Sequence, residues 1–427
     1  MAADSGDNCI KTTALSGGLV VLSERLAHIR SVALGIDFRL GSRDDPAGKS
    51  GTAHLIEHMV FKGTRDLDAR AINIAAETHG AELNAFTDRE ATCFYGRFPG
   101  DRRRPVAALL AEIVSAPEFA PTELEKEKQV VADEIRTADE DPDSAAVNLL
   151  LQAVFGDSPL GKPVAGTLDS VAGISPADLR SFYDSFYGSG CCVATAVGDV
   201  DHDELVELAA TSLDRPGRAA ASRTPAAFAP RRALVEVRPE LSQVYVCLAR
   251  PAFAYGDQRR YALSVLNTAL GGGVSSRLFQ RLREDEALVY SVSSFTELFA
   301  DTGLLGIYFV TDGRKLGRCL AVLSEELSRL LREKIAAEEF ERALNMTRSS
   351  VLLSLESPTN RMMRLARTWL MLGRVIGVDE TLAGFDRLTR SAVSDLVEEL
   401  LAPDGFYVGA VGPGGADVLT DFAAGRS

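Results

Sequence analysis

The spacing of apolar positions divides the chain into two similar halves. In the first, two strands precede an apolar helix-like stretch, Gly51–Thr64, and a second helix follows. Ala81–Thr87 then alternates with the two-residue period of a half-buried strand. Ala91–Phe98 reads as its neighbour, joined through Asp88-Arg89-Glu90. Several helices follow, and the half closes on a strand at Cys191–Gly198. The second half opens with strands at Ala233-Leu-Val-Glu-Val and Gln243-Val-Tyr-Val-Cys-Leu. It continues through helices, strands at about 288–297 and 303–310, and a long helical run from about 314 to 399, and ends on a strand at Gly405–Val411. Between the halves, Arg215–Pro230 is rich in Pro, Ala and Arg, the composition of a linker. The pattern predicts an N-terminal domain over 1–213, a linker over 214–231 and a C-terminal domain over 232–427.

Composition fits this division. A chain of 427 residues exceeds one ordinary domain. Its 46% hydrophobic and 25% charged residues are ordinary for a globular protein. No run approaches the roughly 20 apolar residues that span a bilayer, so no membrane partner is expected. The start, Met-Ala-Ala-Asp-Ser-Gly-Asp-Asn, has neither a basic n-region nor an arginine-rich transit character. The six cysteines are scattered and form no disulfide framework. A cytoplasmic location is therefore expected. The net charge of −14 argues against a nucleic-acid partner and is accounted for by a solubilising surface.

The chemistry concentrates in Gly51–Thr64. His54 and His58 are one helical turn apart, so both imidazoles leave one face. Two neutral histidines at that spacing can grip a zinc ion. Glu57 stands next to His58, placed to take a proton from a water at the metal. This H-x-x-E-H order is the reverse of the zincin motif. So short a pattern recurs by chance, but the chain has only five histidines, and Ala53, Leu55, Ile56, Met59, Val60 and Phe61 surround these two. Burying two imidazoles and a carboxylate there is costly without a partner, and a metal supplies one. A zinc site of this kind takes a third protein ligand and leaves a fourth position to water. The helix expected over Pro121–Arg136 offers a candidate region. Thr122 reads as its N-cap, with Glu125 three residues on. Leu124, Val130, Val131 and Ile135 read as its apolar contacts. Glu127 and Glu134 share a face, and Glu134 lies between Val131 and Ile135 on what reads as the buried side.

These segments together resemble the pitrilysin-type, or inverzincin, metallopeptidases, in particular the branch of the mitochondrial processing peptidase and its bacterial relatives. In that family a glutamate about 76 positions beyond the second histidine completes the zinc site, and another seven residues earlier assists. The resemblance therefore implies Zn2+ on His54, His58 and Glu134, Glu57 as general base, and Glu127 in support. It also implies that the block Leu83–Glu90 is an edge strand to which peptide adds as a further strand. Asn84, Ala85 and Phe86 would contact the substrate there, and Phe61 would line an apolar pocket, although Phe61 also reads as a core aromatic. No G-x-S-x-G segment is present, and no cysteine adjoins a histidine in sequence.

A third segment, Gly271–Ser291, resembles the second-domain signature of the same family. Arg283 and Tyr290 have the spacing of its arginine–tyrosine pair, which donates to the bound peptide and the developing oxyanion. The triple glycine Gly271–Gly273 lacks the G-K-[ST] ending of a phosphate loop and reads as a hinge or a tight helix entry. The resemblance covers nearly the whole chain. It implies an α+β fold of two homologous domains, each a mostly antiparallel sheet packed with helices, forming half of a chambered dimer with an identical or related subunit. The implied activity is zinc-dependent endoproteolysis of unstructured peptides or leader sequences. The alternative is a non-catalytic or partner-dependent subunit of a related heterodimer.

Overall fold

The computed structural model describes residues 10–214, 222–230, 232–401 and 405–426. The first nine residues, and 215–221 and 231 of the expected linker, lie outside the described residues. The chain forms an α+β protein of two compact units.

The first unit comprises the described residues of Met1–Ile135, Pro163–Thr224 and Leu353–Glu380. Its sheet contains β1 (Ile10–Ala14), β2 (Val20–Arg25), β3 (Ser31–Phe38), β4 (Glu82–Thr87), β5 (Thr92–Pro99) and β6 (Cys192–Gly198). The spatial order is β1-β2-β6-β3-β5-β4, with only β2 and β6 parallel. Three strands precede the apolar helix rather than two. The extra one, β1, is an edge strand of sequence Ile-Lys-Thr-Thr-Ala, too polar to register as an apolar run.

The second unit comprises the described residues of Arg136–Lys162, Pro225–Leu352 and Thr381–Ser427. Its strands are β7 (Ala233–Val237), β8 (Gln243–Ala252), β9 (Val289–Leu298), β10 (Gly303–Asp312) and β11 (Tyr407–Gly412), in the order β7-β11-β8-β10-β9. Again one pair, β7 with β11, is parallel and the rest are antiparallel. The five strands repeat the order and senses of β2, β6, β3, β5 and β4, so the two halves are built on one plan. The expected long helical run is five helices, broken at Lys334, Glu356, Arg374 and Arg387 among other positions.

Both faces of each sheet are covered, which is why β6 and β11 are buried at every position instead of alternating. In the first unit, Val32, Leu34, Ile36, Phe94 and Phe98 face α1 (Thr52–Val60), α2 (Ala69–Thr78) and α3 (Arg103–Ser115). The opposite face packs on Met362, Leu365 and Ala366 of the helix Pro358–Leu372. In the second unit, α5 (Pro142–Phe155), which follows α4 (Pro121–Glu140) in sequence, has the matching role. Leu150, Leu151, Val154 and Phe155 of α5 pack against Cys247, Ala249, Tyr407 and Val411. Each such side chain contributes about 1.5–3 kcal/mol through burial. Gly409 permits this contact: a Cβ there would lie 2.1 Å from the Leu150 nitrogen. Each unit thus contains a helix drawn from the other half of the sequence.

A buried ion network holds the end of the Pro163–Thr224 segment of the first unit. Arg223 donates to both oxygens of Asp44, at 2.9 and 2.7 Å, and to the Glu90 carbonyl at 2.8 Å. Arg43 pairs with Glu90 at 2.6 Å. Asp44 and Glu90 are almost wholly buried, so removing one cation leaves charge without compensation. We expect Arg223→Ala to lower unfolding stability by about 3–5 kcal/mol, read from urea unfolding. A change under about 1 kcal/mol, the range of an exposed ion pair, would contradict this.

Candidate metal centre

Helix α1 supplies the centre's first two residues. Its buried face, Leu55, Ile56, Met59 and Val60, is at most 1% exposed, and His54, Glu57 and His58 are the partly open positions of its other face. The helix begins after Gly51, whose φ of 92° suits glycine. Asp45 fixes that end by accepting from Gly51 N–H at 2.7 Å and Ala53 N–H at 2.8 Å.

Helix α4 brings in Glu127 and Glu134. Pro121 occupies its first turn, so Thr122 lies inside the helix rather than at the N-cap, as suits proline's fixed φ. Leu124, Val131 and Ile135 are buried as expected, whereas Val130 is exposed. The two glutamates differ in a way the helical pattern did not indicate. The Glu127 side chain is 6% exposed and that of Glu134 46%. Glu134 is not on a core face: it faces the imidazoles across open space. Its Oε2 lies 3.6 Å from His58 Nε2 and 3.9 Å from His54 Nε2. One ligand atom from each of the three falls within 4.8 Å of the others, the one such cluster among the described residues.

The donor set fits zinc. Tetrahedral bonds of about 2.0–2.2 Å need ligand atoms about 3.3–3.6 Å apart, close to the distances seen. Burial, reinforced by His58, pushes the His54 imidazole down to about 4, so it is neutral as a ligand must be. His58 Nδ1 is 3.1 Å from Glu127 Oε2, which leaves Nε2 to face the cluster. Glu57 stands beside the cluster. Burial pushes its carboxyl above the ordinary value, Thr87 donates to it and His58 opposes the rise, while Glu134 adds to it. Its Oε2 is buried without a hydrogen-bond partner among the described residues.

The remaining candidates fall in two places. Asn84, Ala85 and Phe86 lie on β4, the outermost strand beyond β5, and Thr87, near Glu57, ends that strand. Asn84 Oδ1 accepts from Ala85 N–H at 2.8 Å; Phe86 is exposed, with its ring 6.4 Å from Tyr95. Phe61 caps α1 and packs partly buried against the core, 6.3 Å from Phe94. Arg283 and Tyr290 belong to the second unit, and the structure brings them together: the guanidinium lies 6.0 Å from the tyrosine ring, which is 73% exposed. Arg283 sits in a π-helical turn, Phe279–Asp285, and Arg277 anchors the segment leading into it through Glu339 and Glu326. The triple glycine does not open a helix. Gly271 ends the helix Arg260–Gly271, where a Cβ would lie 2.4 Å from the Ser294 nitrogen of β9.

Sequence reasoning missed Lys62, Thr87 and Asp45. Lys62 Nζ is 2.8 Å from Glu127 Oε1. Its position four residues beyond His58 was the available signal. Thr87 and Asp45 carry none beyond being polar near an element's end.

Fold and cluster together define a two-unit α+β protein with a His, His, Glu donor set that could hold a metal ion. The chain belongs to the M16 family of peptidases, the pitrilysin type. The model of the insulinase family (peptidase family M16) matches residues 20–168, and that described as the peptidase M16 inactive domain matches residues 173–347. An uncharacterized zinc protease of Mycobacterium leprae is 37% identical, covering 94% of this chain and 91% of its own length. One of Streptomyces coelicolor is 34% identical over 93% and 88%. One of Bacillus subtilis is 32% identical over 95% and 99%. Among solved structures, a Pseudomonas fluorescens protein described as a peptidase M16 inactive domain superposes with a TM-score of 0.86 at 22% identity, covering 95% and 98% of the two chains. A Helicobacter pylori protease gives 0.84 at 21%, covering 94% and 98%, and a chain of complex III2 from Candida albicans 0.85 at 20%, covering 97% and 98%. At these identities the structures speak for the fold alone. No helix among the described residues is long and apolar enough to cross a membrane.

Proposed function

We propose that this chain is a zinc-dependent endopeptidase for unstructured peptides, with His54, His58 and Glu134 as ligands and Glu57 as the general base. The observation that carries this is the convergence of those three side chains on one point beside a buried, partly unpartnered carboxylate. Zinc held there supplies a Lewis acid that polarises a carbonyl and acidifies water. Glu57 accepts the proton of the attacking water and delivers it to the leaving amine. Thr87 aims the Glu57 carboxylate, and Glu127 orients His58. The outer edge of β4 receives the peptide as an added strand, with Asn84, Ala85 and Phe86 along it and Phe61 near the apolar side. Main-chain pairing of this kind reads backbone, so sequence preference is broad. Arg283 and Tyr290 act as preplaced donors to the substrate. The working enzyme is a dimer with an identical or related subunit that completes an enclosing chamber.

The test is cleavage of a mixed library of unstructured peptides by the purified chain, read by mass spectrometry. Cleavage is expected to stop with a chelator and return with zinc. Bound zinc without cleavage would favour the second reading, a subunit that needs a related partner. No zinc and no cleavage would favour a structural role.

A further inference from the structure

We propose that Lys62 is a positioning residue for the metal centre, holding Glu127 in place and through it the ring of His58. This rests on reading His54, His58 and Glu134 as metal ligands.

Lys62 follows Phe61, the C-terminal cap of α1. Phe61 N–H bonds to His58 O at 3.3 Å and Lys62 N–H to Met59 O at 3.1 Å, so the backbone completes the turn that carries His58. From there Nζ reaches Glu127 Oε1 at 2.8 Å, while Glu127 Oε2 takes His58 Nδ1 at 3.1 Å. The carboxylate therefore joins an ammonium and an imidazole, one on each oxygen. Its side chain is 6% exposed, and burial of that degree demands a compensating charge. The ammonium of Lys62, on the other carboxylate oxygen, supplies that charge.

A second observation raises the importance of this chain of contacts. His54 Nδ1 is buried and has no hydrogen-bond partner among the described residues. Among the described residues, His58 is the one of the two imidazoles whose outer nitrogen is held by another side chain. The orientation of the pair therefore depends on Glu127, and the orientation of Glu127 depends on Lys62. A metal ligand's outer hydrogen-bond partner commonly sets affinity by 10- to 100-fold. A surface ion pair with no such role changes it by less than about fivefold.

The experiment measures Zn2+ affinity of the full chain by competition with a chromophoric chelator, and the visible absorption of bound Co2+, for wild type, Lys62→Met, Lys62→Arg, Glu127→Gln and the double variant Lys62→Met/Glu127→Gln. We expect Lys62→Met to weaken Zn2+ binding by about 10- to 100-fold and to alter the Co2+ spectrum. Lys62→Arg should rescue both. In the Glu127→Gln background Lys62→Met should add less than about twofold, because its route to His58 is already cut. Unfolding midpoints of the metal-free proteins separate a folding defect from a loss at the centre. Unchanged affinity in Lys62→Met, or an equal loss with and without Glu127, overturns the role of Lys62 alone. Absence of Zn2+ binding by the wild type overturns the metal-centre reading itself.

Discussion

Glu57→Gln is expected to bind zinc and peptide as the wild type does and to hydrolyse peptide about 10²–10⁴-fold more slowly. The amide has the shape of the carboxylate but cannot accept a proton near neutral pH, so the attacking water loses its base. In barrier terms the loss is about 3–5 kcal/mol. Zinc should be retained because Glu57 stands outside the ligand set of His54, His58 and Glu134. Folding should be retained because Glu57 lies on the open face of α1, away from Leu55, Ile56, Met59 and Val60. The measurements are metal content and kcat/KM on a fluorogenic peptide. Turnover within about tenfold of wild type would remove Glu57 as the base, because a positioned base contributes more than that.

Glu134→Gln should fail at the preceding step, with zinc affinity down by more than about 100-fold. That is the upper end for an outer partner, and loss of the ligand should exceed it. The amide oxygen remains, but the negative charge is lost, and the two neutral imidazoles cannot balance a dication. The exposure of Glu134 sharpens the prediction, since the substitution disturbs no core contact and the metal-free protein should unfold as the wild type does. The glutamate one helical repeat earlier provides a contrast. Glu127→Gln changes an outer partner and should cost only about 10- to 100-fold. Full zinc occupancy in Glu134→Gln would refute the ligand assignment, and a larger loss in Glu127→Gln than in Glu134→Gln would exchange the two roles.

The gap between pattern and structure at Glu134 has a simple cause. A helical wheel identifies the side that is not bathed in solvent, but not whether that side meets a core or a cluster of polar groups. Glu134 lies between Val131 and Ile135 in sequence and reads as buried. In the fold, those two valine and isoleucine side chains enter the core while the carboxylate faces His54 and His58 across space open to water. The same limit applies to Val130, apolar yet exposed, and to Lys62 and Thr87, polar residues whose importance lies entirely in what stands opposite them.

What the chain could declare by itself is whatever local geometry determines. The rise and turn of a helix bring His54, Glu57 and His58 onto one face whatever surrounds them. The two-residue period marks β4 and β5 as neighbouring strands. Leu150, Leu151, Val154 and Phe155 share the face of α5 that packing must bury, while Val147 and Gln152 on another side stay exposed. Which sheet buries it is not local information. Leu150 and Val154 would be satisfied by any apolar face of the right shape; the one they meet is set by Gly409, which lets the helix backbone lie against β11 of the second unit. Likewise, no local geometry joins His58 to a glutamate two strands and two helices later; the spacing that implied Glu134 came from the family resemblance alone. Only the packing of α4 beside α1 brings the carboxylate within 4 Å of the imidazoles, because that distance is decided by the side chains filling the space between helices and sheet, not by the residues counted along the chain.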